Sequence, residues 1–284
     1  MAEKVVPYEV PVGEERERVL AKGLQRLSFC NSARFIEHSS KVLEEIHRTG
    51  GRPLQGLSPA EQSLLLMLYY TFWDVGLSEM KEQRFATVEQ ALHWLVEHPL
   101  AYDEVQEVLR YQYDRIDIAG RPIPELGEDV PLDLYCNYTI DQILAALGQH
   151  KAWRHRHFQE GVLYIEERNM DVFFVTLMKS EKEYSPTTMY QDYAVNERVF
   201  HWQSQSRTTV ESPTGRRYVS QGQTGHPVLF FVREKKRNES GVTMPYTCVG
   251  LADYRSHRGS APISMEWTMR EPLPAFVLDV AGRG

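Results

Sequence analysis

The sequence predicts an α+β protein, helical first and strand-rich afterwards, and three observations carry that expectation. Up to about residue 115 the apolar residues recur at helical spacing. After about residue 149 the chain breaks into short β-branched and aromatic runs divided by Gly, Pro, Asn and Ser. Between the two, residues 120–131 (GRPIPELGEDVP) collect Pro, Gly and acidic side chains without periodicity, the composition of a connector. The expected organisation is a helical subdomain over 1–119 and a β domain over 131–284. A chain of 284 residues with 42% hydrophobic and 25% charged content supports one or two packed cores.

The helices are expected at ERERVLAKGLQRL, ARFIEHSSKVLEEIH, LLLMLYYTFW, ALHWLVEHP and YDEVQEVLRYQY. Ser58, Pro59 and Glu61 form a capping box: the hydroxyl accepts from a first-turn N–H, the proline sits where a missing donor costs little, and Glu61 reaches back. Thr87 with Gln90 repeats the pattern, and Thr139 with Gln142 opens a helix through DQILAALG that Gly148 should end. The stretches GVLYIEE, DVFFVTL, RVFHWQSQ, PVLFFVRE, YTCVGLADY, ISMEWTM and AFVLDV are then expected as strands. So many short strands with one clear helix favour an antiparallel barrel or sandwich over a doubly wound parallel sheet.

Several functions are disfavoured by what the chain lacks. No apolar run approaches the roughly 20 residues of a membrane helix, and MAEKVVPYEV lacks the parts of a secretory signal, so a cytoplasmic protein is expected. Cys30, Cys136 and Cys248 lie too far apart for a short zinc motif, and their odd number argues for buried, reduced thiols. No Gly-rich phosphate loop is present for ATP or NAD, no Gly-x-Ser-x-Gly elbow occurs, and no cofactor is expected. Glu234 stands two residues before Lys236, the later half of a metal-dependent nuclease pattern. The earlier half is missing, because Glu211 is the only carboxylate between Glu197 and Glu234. His150, His155 and His157 crowd one segment, but Arg154 and Arg156 interleave them, which favours a solvated basic loop over a metal site; no metal is expected.

The net charge is −7, unevenly spread: residues 1–130 hold 14 Lys+Arg against 22 Asp+Glu, and residues 131–284 hold 18 against 17. The near-neutral second part is able to present a basic face, for which Arg216, Arg217, Arg233, Lys235, Lys236 and Arg237 are the candidates. The most unusual segment runs from Lys179 to Ser206. There Tyr184, Tyr190, Tyr193, His201 and Trp202 alternate with Asp192, Gln203, Gln205 and small hydroxyl residues. Rings to sandwich a flat ligand, a carboxylate to accept from an amino group and amides to read base edges are what a flipped-base pocket requires. The same residues also suit plain packing, with tyrosines on the sheet and polar groups capping turns. Chemistry alone leaves the two even.

In this region FFVTLMKSEKEYSPTTMYQDYAVNERVFHWQSQS, SPTGRRY, LFFVREKK and GLADYRSHRGSAPISMEW resemble, in order, the C-terminal region of helicase-like bacterial proteins that carry a phospholipase-D-type nuclease. That family includes the SauUSI-type, modification-dependent restriction enzymes. The resemblance is strongest over about 131–282; LAKGLQRL and SLLLMLYYTFW look like the linker between motor and reader. It implies an SRA/PUA-like antiparallel β-barrel with flanking helices that reads 5-methyl- or 5-hydroxymethylcytosine in double-stranded DNA by base flipping. It also implies a helical part that docks on helicase or nuclease subunits. The nuclease and ATPase motifs of those enzymes do not occur here, so the chain is expected to recognise without cutting, as a piece of a longer enzyme or with partner subunits. Within the implied pocket, Asp192 would accept from the cytosine amino group and Tyr190, Tyr193 and Trp202 would stack. His201, Gln203 and Gln205 would meet base edges or fill the vacated stack, and Arg216, Arg217, Lys235 and Lys236 would hold phosphates. The competing expectation is a protein-interaction module docking on a helicase or nuclease subunit.

Overall fold

A computed structural model describes residues 12–178 and 192–281. Its contacts divide the chain into two interleaved units: 1–119 with 128–131 and 141–156, and 120–127 with 132–140 and 157–284. The helix through DQILAALG falls in the helical unit, and the Pro/Gly stretch 120–131 is divided between the two.

The helical unit contains α1 (Glu14–Leu27), α2 (Ala33–Thr49), α3 (Pro59–Phe72), α4 (Val88–Val96), α5 (Pro99–Asp114) and α6 (Ile140–Ala146). The caps expected at Ser58 and Thr87 are present: Ser58 accepts from Glu61 N while Glu61 accepts from Ser58 N, and Thr87 accepts from Gln90 N. Gly148, at a left-handed φ of 70°, follows α6 where a side chain would be strained. α3 is buried on most of its surface, so Gly23 on α1 matters: a Cβ there would stand 1.9 Å from Phe72 Cδ1. The three cysteines are all free and buried, and burial pushes the thiols of Cys30 and Cys248 up to about 12.

The second unit holds β1 (Arg121–Pro122), β2 (Asp133–Leu134), β3 (Asn137–Tyr138), β4 (Val162–Ile165), β5 (Met170–Met178), β6 (Tyr193–Asn196) and β7 (Val199–Gln203). It continues through α7 (Pro213–Val219), α8 (Gln221–Thr224), β8 (Val228–Lys235), β9 (Tyr246–Arg258), β10 (Ser264–Met269) and α9 (Ala275–Ala281). β1 pairs with β2; the main sheet runs β4-β5-β8-β9-β10-β7-β6, with β3 on β9. Among the described residues every pairing is antiparallel except β5 with β8. The protein is therefore α+β, as the sequence predicts.

The expected strand AFVLDV is instead the helix α9. A six-residue, mostly apolar run has no period that separates strand from helix; Pro274 tips the choice by opening the first turn, where Val277 N donates to Pro274 O. Conversely β6 is a strand that the aromatic and polar texture of its segment concealed. The sheet curls around one core: Phe173 of β5 stacks on Trp202 of β7 at 4.2 Å, although three strands lie between them in sheet order. Phe230, Trp267, Met265, Tyr218 and Val277 complete that core, so strands from both halves and α9 share one apolar interior.

Candidate nucleic-acid interface

Strand alternation decides which candidate residues share a face. In the half-sheet β9-β10-β7-β6, cross-strand partners align in rows. One row runs Arg258, Ser264, Gln203, and the next runs Ser256, Glu266, His201, Tyr193. Direct partners point to the same side of the sheet. These rows are polar, and bonds link them laterally: Gln203 Nε2 donates to Ser264 Oγ at 3.2 Å and Ser256 Oγ to Glu266 Oε2 at 3.2 Å. Between them lie Met265 with Trp202, and beyond the second row Trp267 with Phe200 and Ala194; these point into the core.

The structure thus brings Asp192, Tyr193, His201 and Gln203 together. Asp192, just before β6, is buried, and its Oδ1 accepts from Gln203 N at 3.0 Å, pinning the start of the edge strand to the end of β7. Tyr193 is 39% exposed and lies on the His201 ring at 4.6 Å and 17°, a stacked pair with no room for a third ring between. A planar ligand would therefore have to meet the outer surface of Tyr193. Gln205 is exposed just beyond β7. Trp202 does not join them: it is 4% exposed, stacked on Phe173 and set edge-on to Tyr218 at 5.5 Å. Tyr190 and Tyr184 lie outside the described residues.

The cationic candidates separate in the same way. Arg216 is exposed on α7. Its neighbour Arg217 instead makes a bidentate pair with the buried Asp171, at 2.8 and 2.9 Å, and lies 3.8 Å over the Tyr164 ring. His226 Nε2 is 3.1 Å from the same carboxylate, so Arg217 is part of a structural network inside the unit. Burial would lower the Arg217 pKa, but the Asp171 bond outweighs it and raises it. Arg233 is also structural, donating to Thr176 Oγ1 at 2.9 Å and lying over the Tyr246 ring. Lys235 and Lys236 are half-buried at and after the end of β8; in sheet order β8 is four strands from β6.

The histidine segment holds a feature that sequence spacing did not reveal. His150 and His155 converge on Asp141 Oδ1, at 3.2 and 3.1 Å, within the helical unit, whereas His157 is exposed. His150 is fully buried, which corrects the expectation of a wholly solvated loop. Among the described residues this is the one group whose ligand atoms, all within 4.8 Å of one another, could hold a metal ion; Glu234 belongs to no such group. Its tautomers argue for a hydrogen-bonded network instead. Arg156 N donates to His150 Nδ1 at 3.1 Å, so the neutral ring carries its proton on Nε2 and points it at Asp141, where a metal would have to sit.

The β-rich unit is therefore an α+β assembly whose curled sheet carries a polar outer face. Its sequence belongs to the family described as Domain of unknown function (DUF3427), whose model matches residues 132–279, more than half of the chain. No curated protein matches the chain. Among solved structures it is similar to Arabidopsis thaliana SUVH6 in complex with SAM, at 12% identity and a TM-score of 0.36, over 95% of this chain and 43% of that one. It is similar also to KRYPTONITE in complex with mCHG DNA and SAH, at 11% identity and a TM-score of 0.35, over 84% and 44%. The chain spans less than half the length of either.

Proposed function

We propose that this chain reads modified cytosine, 5-methyl or 5-hydroxymethyl, in double-stranded DNA by taking the base out of the duplex onto the polar face of β6, β7 and β10. In this reading it is the target-recognition part of a modification-dependent restriction or defence system in the cytoplasm. Helicase and nuclease subunits would supply ATP hydrolysis and scission, and the helical unit would dock on them. The observation that carries the reading is the pair of rows that sets an exposed aromatic ring, an imidazole and an amide on one side of the sheet, with the Asp192 carboxylate bonded to the backbone of Gln203 at their edge. An extruded base needs that set: a ring to lie on, an acceptor for its amino group and an amide for its edge.

In that arrangement Asp192 accepts from the cytosine amino group, Tyr193 stacks on the base with His201 supporting it, and Gln203 meets the base edge. Gln205, exposed beyond the strand, would enter the stack that the base leaves. Tyr190 remains assigned as a second stacking ring, and Trp202 takes no part. The resemblance of SPTGRRY, LFFVREKK and GLADYRSHRGSAPISMEW to the C-terminal regions of SauUSI-type enzymes supports the same reading.

A single good polar pair to a base is worth about 1–3 kcal/mol, about tenfold or more in affinity. Titration of otherwise identical duplexes carrying plain, 5-methyl- or 5-hydroxymethylcytosine, at one stated salt concentration, is expected to show about a tenfold preference for a modified duplex. Equal affinity for all three would remove the reading.

A further inference from the structure

β9 continues well past its partner β8. Its residues 247–251 pair with β8, and residues 252–258 pair with β10. α7 and α8 lie against β9, and Gln221 of α8 accepts from Tyr254 N at 2.6 Å through Oε1. The hairpin joining β9 to β10 is consequently solvated, with every residue from 255 to 261 exposed.

This exposed hairpin is nonetheless tied down. Ala261 N donates to Thr208 O at 3.1 Å and Val210 N to Ser260 Oγ at 3.2 Å. Ser204 N donates to Ile263 O at 3.0 Å, and Ile263 N returns a bond to Ser204 Oγ at 2.8 Å. These four bonds lace residues 204–210 to the hairpin and hold the segment on both sides of the exposed Arg207. The hairpin and the segment laced to it therefore carry the exposed Arg207, Arg255 and Arg258. Arg255 lies 3.4 Å from Glu266, while neither Arg207 nor Arg258 forms an ion pair among the described residues. The contrast with other arginines of the unit is physical: Arg217 is held by Asp171, and Arg270 by Asp253 at 2.8 Å and Glu125 at 3.3 Å. Arg258 also heads the row that runs through Ser264 to Gln203, so its position continues directly into the polar face.

A guanidinium that is solvated, has no carboxylate paired with it among the described residues and stands on a braced backbone is suited to a fixed anion with spare oxygens, and a backbone phosphate has that chemistry. We propose that the β9–β10 hairpin, with the laced 204–210 segment, is the phosphate-holding edge of the reading face. Arg207 and Arg258 each grip the backbone of the duplex whose base the face receives. This rests on the DNA-reading function proposed above, and it moves the phosphate contacts from Arg217, Lys235 and Lys236 to a part of the sheet that adjoins Gln203.

The test is salt dependence. Each phosphate contact releases counterions and contributes about 0.9 to the slope of log K against log salt. Arg207→Ala and Arg258→Ala are each expected to reduce that slope by about one and to weaken modified and plain duplexes equally, leaving their ratio unchanged. Arg258→Lys, which keeps a charge, should restore the slope, and Lys235→Ala should leave it at the wild-type value. Thermal melting of both alanine variants should match wild type, since both side chains are exposed. Unchanged slopes in a chain that still prefers modified DNA would overturn the hairpin assignment and leave the reading standing. A wild-type chain that binds no duplex even at low salt would overturn both.

Discussion

Trp202→Ala is expected to destabilise the β-rich unit by about 3–5 kcal/mol, the cost of deleting a large buried ring whose site collapses only in part. The ring is 4% exposed, stacks on Phe173 and meets Tyr218 edge-on, so its removal opens the core at the point where β5 and β7 come together. Such a loss is a large part of the stability of an ordinary domain. The check is a denaturant titration beside Tyr193→Ala. That substitution removes a ring 39% exposed on the opposite side of the sheet, and it should cost under about 1 kcal/mol while weakening DNA binding. If the tryptophan variant melted normally and instead lost modified-base preference, the division of this strand into core and reading faces would be wrong.

Asp141→Asn should cost the helical unit about 2 kcal/mol near neutral pH, because each of its two imidazole bonds falls from a charge-assisted bond to an ordinary one. The pH profile should change with it. Burial alone would raise the Asp141 carboxyl, but the bonds from His150 and His155 outweigh it and hold it well below its usual range. A depressed carboxyl contributes stability that is present above its unfolded value of about 4 and is lost as pH falls below it. The bond to Asp141 raises His155, so its contribution is full below about 6.5 and is lost as pH rises through the higher folded value. Burial lowers His150 despite the same carboxylate, which works the other way and costs stability as pH drops below about 6.5. Urea midpoints across the pH range should therefore fall less steeply in acid for the variant, and its loss above neutral pH should flatten. An unchanged profile would show that Asp141 is not the shared acceptor.

What was legible in the sequence follows from how local each feature is. The capping residues Ser58, Glu61 and Thr87 act within one turn, and they start α3 and α4 where their spacing says. Strands with β-branched and aromatic runs, such as DVFFVTL and PVLFFVRE, are β5 and β8. AFVLDV is ambiguous on its own because a short apolar run has no decisive period, and only the preceding Pro274 marks it as a helix start. The Asp141 network was hidden because its acid lies nine and fourteen residues from the two imidazoles. The Arg217–Asp171 pair, 46 residues apart, needs the tertiary fold to be seen at all. In His201-Trp202-Gln203, by contrast, the strand period of two is legible from the sequence and places Trp202 on the side opposite its neighbours.

The central claim is that Asp192, bonded to the backbone at the edge of the polar face, senses the cytosine amino group and thereby the base. Asp192→Asn keeps the shape and an oxygen to accept from Gln203 N, but it brings an amide donor where the base would offer its own donor. The most direct measurement is the ratio of affinities for modified and plain duplexes, taken side by side for wild type and Asp192→Asn at one salt concentration. We predict that the ratio falls by about tenfold in the variant, one polar pair's worth, while binding to plain duplex, whose cytosine stays stacked in this reading, holds. A ratio that stays at the wild-type value in a folded variant would contradict the claim.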